Sequence, residues 1–430
     1  MESSVPVNAK KRRGESLPGH FSWYYLAFFL YCFWGWLSRT TLWDFDETPV
    51  IGVVENAVQV VILLLLAISF LRQRSTTREW IIAIFIGALG FIVWRTAAEG
   101  WLFWIALFVI CGKGAHVKSL AAVLLLTVSL VLVFSIAASS LNLIENIVAI
   151  RTSNGAVRAA MGFSHPNLFG AALLTLCLAA APFLRHKNPL WLMVPCLAGA
   201  AAASFVADSR TSALCMALIA VAWPVYRWIS GRAWRRKIIL ALVVLLVCML
   251  AVSVWYMLFY DPARGIDFAL DSALSGRLRL AHTYYLDHAP GLFGYNYADG
   301  TIYLADGKEY TFVVDNLYAH ILLRYGIIAW LILFAGLFIL LFKAYKQNYF
   351  GPLLFGLGIF LLYGMAETLG CRVEFNFYII SLWTILYHRP LAQFDGETLS
   401  EADGDSAANG ELSFREFLWL PFGRIRGRRG

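Results

Sequence analysis

Runs of apolar residues long enough to cross a bilayer recur from one end of this chain to the other. A helix needs roughly 20 such residues to cross the hydrocarbon, and about 17 are tolerated. Apolar stretches, most of them of about that length, at 21–38, 51–71, 80–94, 120–137, 168–184, 191–206, 211–228, 238–259, 316–342, 351–369 and 375–387 leave little sequence for a water-soluble core. A shorter run at 101–111 brings the total to about twelve. Hydrophobic residues make up 60% of the chain and charged residues 14%, and the mean hydropathy is +0.67, which excludes a soluble globular domain. The expectation is an all-α polytopic membrane protein with about twelve transmembrane helices, a membrane domain over 21–388 and tails at 1–20 and 389–430.

Loop charge sets the expected topology, because Lys and Arg accumulate on the cytoplasmic side. Lys10, Lys11, Arg12 and Arg13 precede the first run. With twelve crossings, Arg72, Arg74 and Arg78, then Lys113 and Lys118, Arg185 and Lys187, the group Arg227, Arg232, Arg235, Arg236 and Lys237, and Lys343 and Lys346 all fall in alternate loops on that same side. Both termini are therefore expected in the cytoplasm. The net charge of +8 reads as a topology signal and requires no nucleic-acid partner. The first run is long, aromatic and without a small-residue cleavage site, unlike a signal peptide. The seven cysteines sit mostly inside apolar runs, with no metal or disulfide spacing, so no metal and no cofactor is expected.

Two long external segments follow from this topology, 138–166 and, between the ninth and tenth crossings, 260–315. Both are expected to carry short amphipathic helices over the outer mouth. The tail beyond His388 turns acidic and small, then basic at Arg424, Arg426, Arg428 and Arg429, as a disordered tail does.

Charge on the outer side is the functional signal. Arg210, Arg277, Asp315, Glu367, Arg372 and Glu374 all adjoin apolar runs there, where a charge costs several kcal/mol unless paired, hydrated or in a cavity. The segment GFSHPNLFG at 162–170 opens the sixth run: Ser164 and Pro166 suit a helix start, while His165 and Asn167 exceed what a cap requires and offer groups for a sugar or phosphate oxygen. Ser209, Arg210 and Thr211 begin another helix, either as an anion site or as a plain Asp208–Arg210 surface pair. Arg277 and Arg279 alternate, so only one faces a site, and Arg277 after Ser275 and Gly276 is favoured. The GLFG turn at 291–294 lets backbone approach a ligand, and Tyr284, Tyr285, Tyr295 and Tyr297 suit sugar faces. Asp315, Asn316 and Tyr318 open the tenth run, with Asp315 either a cap or a reactive carboxylate. Deeper in that run, Arg324 snorkels or neutralises Glu367 or Glu374.

In their order and common sidedness these segments resemble the bacterial O-antigen polymerase and ligase family, closest to the polysaccharide repeat-unit polymerases, over roughly 162–386. The resemblance implies a metal-independent glycosyltransferase with an undecaprenyl-diphosphate-linked oligosaccharide as donor, working beside a flippase and a chain-length regulator on the extracytoplasmic face of a bacterial plasma (inner) membrane. It implies that Arg210 and Arg277 bind the diphosphate, whose departing charge needs a counter-charge that strengthens in the transition state. His165, Asn167, Ser209, Asn316, Tyr318, Arg279, Glu367 and Arg372 would bind substrate. Ligases of the family carry a histidine before the asparagine where this chain has Asp315, which points to a polymerase and leaves Asp315, His165 and Glu367 as alternative general bases. A ligase transferring the glycan to lipid A core or protein, and a transporter of the same glycan, are the competing readings.

Overall fold

The computed structural model describes residues 20–43, 49–150, 155–228, 232–297, 302–303, 309–310 and 314–395, so most of both tails falls outside the described residues. The chain runs through α1 (His20–Leu37), α2 (Pro49–Leu71), α3 (Thr77–Ala97), α4 (Trp101–Cys111), α5 (Val117–Ser140), β1 (Val148–Ile150) and β2 (Val157–Ala159). It continues with α6 (Pro166–Leu184), α7 (Leu190–Phe205), α8 (Arg210–Trp228), α9 (Arg232–Phe259), α10 (Gly265–Ala273) and α11 (Arg277–Asp287). After the small antiparallel pair β3 (Ile302–Tyr303) and β4 (Glu309–Tyr310) come α12 (Leu317–His320), a π-helical turn (Ile321–Tyr325), α13 (Gly326–Gln347) and α14 (Pro352–Tyr363). Two 3-10 turns (Thr368–Cys371, Phe377–Leu382), α15 (Trp383–Leu386) and α16 (Leu391–Asp395) complete it.

Six of these helical stretches are long and apolar enough to cross a membrane: Gly52–Leu71, Thr77–Ala97, Val117–Ser140, Pro166–Leu184, Trp234–Phe259 and Leu317–Gln347. Large apolar side chains point outward along several helices, among them Leu64, Ile84, Phe85, Val133, Leu214 and Trp255. Such a surface suits lipid and not water. This is a helical protein of multi-pass membrane type.

Three expected spans are shorter or broken. The helix at 101–111 has 11 residues, about 16 Å of rise, against a hydrocarbon core of roughly 30 Å. It is packed inside the protein, with Phe108 fully buried. The runs at 351–369 and 375–387 are not continuous helices: α14 stops at Tyr363, and a turn follows in which Leu317 N donates to Gly364 O (2.8 Å) and Glu367 N to Tyr363 O (3.0 Å). Aromatic bulk fixes the second break. Phe377, Tyr378 and Trp383 are all fully buried, and Tyr378 reaches across to donate to Leu178 O at 2.8 Å. Gly356 leaves room for that ring, because a Cβ there would overlap Tyr378. Further buried phenols are satisfied in the same way, Tyr24 on Phe108 O (3.1 Å) and Tyr387 on Ile110 O (2.5 Å).

The two long connecting segments differ. Residues 260–315 carry two short helices, α10 and α11, as their sequence suggests. Residues 138–166 instead form a two-stranded hairpin, β1 against β2, with Ala149 opposite Arg158. Its exposed strand residues Val148, Ile150 and Val157 are β-branched, which favours a pleated surface over a helix.

Candidate functional site

Helix starts place the site. At α6, His165 is the N-cap and its Nδ1 accepts from Asn167 N (3.1 Å), while Pro166 occupies the first turn; Ser164 is not the cap. That frees the Asn167 side chain to point inward. At α12 the cap is Asn316, whose Oδ1 accepts from Tyr318 N and Ala319 N, both at 3.0 Å. Asp315 is therefore relieved of capping. At α11 the capping acceptor is Asp271, whose Oδ1 takes Leu278 N (2.9 Å) and Arg279 N (3.0 Å), with Tyr260 donating to its Oδ2 at 3.4 Å. Arg277 is thereby held at the first position of that helix.

These starts converge on one chain of polar contacts. Arg158 Nη2 donates to Asn167 Oδ1 (2.5 Å) and its Nε to Ala207 O (3.0 Å). Asn167 Nδ2 donates to Glu367 Oε1 at 3.0 Å. Arg277 Nη2 lies 3.4 Å from Glu367 Oε1 and 3.5 Å from Asp315 Oδ2, while its Nη1 donates to Leu274 O at 3.1 Å. Arg277 Nε is buried and has no hydrogen-bond partner among the described residues. The Asp315 side chain is 35% exposed against 10% for Glu367, so Asp315 is the open end of the network.

Electrostatics divide the two carboxylates. Both Arg277 contacts are longer than the 2.7–2.9 Å usual for a charge-assisted bond, because one guanidinium edge is shared between two acids. Burial, joined by the Asp315 charge, pushes the Glu367 carboxyl up to about 8 against the pull of Arg277 and Arg158. With Glu367 protonated, the network holds two guanidiniums against one carboxylate and carries net positive charge. His165 is pushed down by burial and by Arg158, with Asp315 acting the other way. Its neutral ring accepts at Nδ1, which puts the proton on Nε2 and leaves no lone pair for a second proton.

No protein-family model, curated protein or solved structure matches this chain. The site is therefore read from its own geometry.

Of the residues singled out in sequence, Asn167, Arg277, Asp315 and Glu367 come together, with His165 at their edge. Arg210 does not join them: its side chain is 58% exposed and pairs with Asp208 at 3.2 Å, the surface pair. Ser209 is buried where α8 meets α6, and a Cβ on Gly170 would strike it. Asn316 and Tyr318 are buried structural groups. The Asn316 amide donates to Ser253 Oγ (3.0 Å), and the Tyr318 hydroxyl donates to Leu361 O (2.6 Å), so neither is presented to a ligand. Arg279 is exposed, and among the described residues its side chain makes no bond to the network. Arg372 lies over the Trp101 ring at 3.5 Å and makes no ion pair among the described residues. Glu374 pairs with Arg39 at 2.8 Å.

Arg324 corrects an expectation, since its partner is neither Glu367 nor Glu374. Its Nε lies 2.9 Å from Glu99 Oε2, with His320 Nε2 at 3.4 Å from the same oxygen and stacked on Trp101. Burial raises the Glu99 carboxyl, but His320 and Arg324 outweigh it and hold it below the ordinary range. The turn at 291–294 also serves the protein and not a ligand. Ile327 N donates to Gly291 O (3.0 Å), Ile328 N to Leu292 O (3.1 Å) and Tyr295 N to Arg324 O (3.0 Å), seating the turn on the π-helical break. Gly294 and Gly326, at φ 93 and 87, have backbones too close for any side chain. Tyr284 and Tyr297 are buried beneath it, which leaves Tyr295 as the open ring, 38% exposed.

Arg158, Glu99 and Asp271 were missed in sequence. Arg158 lay in a segment expected to be helical, and only the strand pairing turns it toward Asn167. The D-x-x-x-x-x-R spacing of Asp271 and Arg277 could have suggested a helix-start acceptor.

Proposed function

We propose that this chain is a membrane glycosyltransferase of the O-antigen polymerase and ligase kind. It would join undecaprenyl-diphosphate-linked oligosaccharide units into polysaccharide at the outer face of a bacterial plasma membrane. The reading carries twelve crossings, with the Lys- and Arg-rich loops and both termini in the cytoplasm. The observation that supports it is the Arg277 junction, where segments far apart in sequence bring two guanidiniums, a buried acid and an open carboxylate to one place.

The chemistry needs those groups. An acceptor sugar hydroxyl attacks the anomeric carbon of the donor glycan and forms the new glycosidic bond. Its proton passes to Asp315, the open carboxylate. The bond to the diphosphate breaks with both electrons leaving on the phosphate oxygen, and Arg277 supplies counter-charge as that bond lengthens. Arg158 takes the second cationic place that sequence resemblance gives to Arg210. Glu367 and Asn167 hold Arg277 in position.

Electrophoresis of surface glycan from cells lacking the protein, complemented with wild type or Arg277→Ala, tests this. Single units in the null and Arg277→Ala strains, against a ladder with wild type, support a polymerase. Long carrier-linked polymer that never reaches its final acceptor identifies a ligase instead. The breaks after Tyr363 and at Ile321–Tyr325 favour a transporter as the second reading, since interrupted helices mark transport sites. Carrier-linked units that accumulate without reaching the outer face would decide for it.

A further inference from the structure

The helix α10 is built the wrong way round for water. Its sequence GIDFALDSA turns both charges inward: Asp267 and Asp271 are buried, Asp267 Oδ2 accepting from Asp261 N (3.1 Å) and Asp271 Oδ1 from the first amides of α11. Ile266, Phe268 and Leu270, all large and apolar, are exposed. A helix that faces water hides its apolar side and shows its charges. The exposed face continues that of α9, whose last turns show Trp255 and Phe259. Arg264, just before the helix, is paired with Asp261 at 3.7 Å.

The β1–β2 hairpin repeats this arrangement at the other end of the polar network. Ala149 and Arg158 lie opposite one another and share one face, from which Arg158 reaches Asn167 Oδ1 and Ala207 O. Ile150 and Val157 are likewise opposite and share the other face with Val148, and all three are exposed. Ala159 N donates to Val206 O (2.8 Å), which sets the hairpin beside Phe205, 87% exposed at the end of α7. Exposed Leu141 and Leu143 carry the same surface to the end of α5. Along the helices themselves, α5 shows Leu130 and Val133, and α7 shows Val194 and Leu197. The apolar face of the hairpin is thus the rim of a surface that already suits lipid.

We propose that α10 and the β1–β2 hairpin both rest in the interfacial layer of the leaflet at the Arg277 end, their apolar faces against acyl chains and their polar faces turned to the network. Backbone groups along the edges of a two-stranded hairpin are hydrated at headgroup depth, whereas the hydrocarbon core would leave them unsatisfied. Each element continues a lipid-facing helix, so the membrane that covers α5 and α9 covers it too. The network that joins Arg158 to Arg277 then lies at headgroup depth, where a ligand carried on a lipid meets it without leaving the membrane. This placement holds whatever reaction the site performs.

Power-saturation electron paramagnetic resonance of the full chain in phosphatidylethanolamine–phosphatidylglycerol nanodiscs tests this. Cys248, the exposed cysteine, is replaced by Ser, the six others being buried, and a nitroxide is attached at Ile150→Cys or Phe268→Cys, both exposed positions. Val133→Cys on α5 supplies the lipid reference, and Lys187→Cys, in the basic loop before α7, the water reference. Collision with oxygen relative to a water-soluble nickel chelate should be several-fold higher for Ile150→Cys and Phe268→Cys than for Lys187→Cys, approaching Val133→Cys. A ratio like that of Lys187→Cys puts the faces in water and overturns the proposal. Exclusion of both reagents means that a protein partner or a second copy covers the face, which overturns it as well. A lipid-like ratio at one element alone overturns the joint placement.

Discussion

Replacing Glu367 by Gln should flatten a pH dependence of stability that wild type possesses. In the fold this carboxyl is pushed up to about 8, against an ordinary value of 4.5 when exposed. Between those values the folded protein holds a proton that the unfolded chain has released, so unfolding releases it and stability falls as pH rises. The contribution is fully present below the ordinary value and lost once pH passes the folded one. Integrated from pH 6 to 9, the loss is on the order of 2 kcal/mol. Gln keeps the oxygen that accepts from Asn167 and Arg277 and cannot ionise. Thermal unfolding in detergent at pH 6 and pH 9 should show wild type losing a few degrees more than Glu367→Gln across that interval. Parallel curves for the two proteins would refute the claim that Glu367 is held protonated. A wild type more stable at pH 9 would mean instead that the Arg277 contact dominates burial.

Other positions give sharper contrasts. Arg158→Ala should abolish polymer in the glycan assay, whereas Arg210→Ala, 58% exposed, should retain much of it; the reverse order would return the second cationic role to Arg210. Asp271→Ala removes the acceptor for two amides at the start of α11 and should cost about 1–2 kcal/mol of local stability, seen as faster hydrogen exchange over Arg277–Asp287. Glu99→Ala takes away the 2.9 Å partner of a nearly buried Arg324 and should destabilise the protein by about 3 kcal/mol in the same thermal assay, with a loss under about 1 kcal/mol counting against a tight pair. Gly356→Ala drives a methyl into the Tyr378 ring and should cost about 1–3 kcal/mol, an effect that Tyr378→Leu in the same chain should relieve.

Apolar runs announce helices because a bilayer demands a long uninterrupted stretch, and that signal held for Thr77–Ala97, Val117–Ser140 and Pro166–Leu184. It failed at 351–387, where composition stays apolar while Tyr378, Trp383 and the Gly364 turn replace helix with 3-10 turns. Hydropathy measures transfer, not backbone path. At the site, Arg277, Asp315 and Glu367 were each singled out because a charge beside an apolar run demands a partner, but their pairing was not legible, and Glu367 was set against Arg324 instead. Arg158 was not legible, since its approach to Asn167 depends on strand register across β1 and β2. Tyr318 failed for another reason: helical spacing gives a face, but neighbours decide whether that face meets a cavity or Leu361.

The seating of residues 291–295 on the π-helical break has a mechanical side. Three backbone bonds, the Thr96 hydroxyl donating to Phe293 O and two glycines in contact rivet that end of the outer segment to the start of α13. The α10–α11 end is anchored to α9 through Asp271 on Tyr260 and His282 on Met257 O, contacts made by side chains. Arg277 is the first residue of α11, so the same side-chain anchors that seat α11 on α9 also set how far the guanidinium lies from Glu367 and Asp315, and any shift of that helix carries the guanidinium with it.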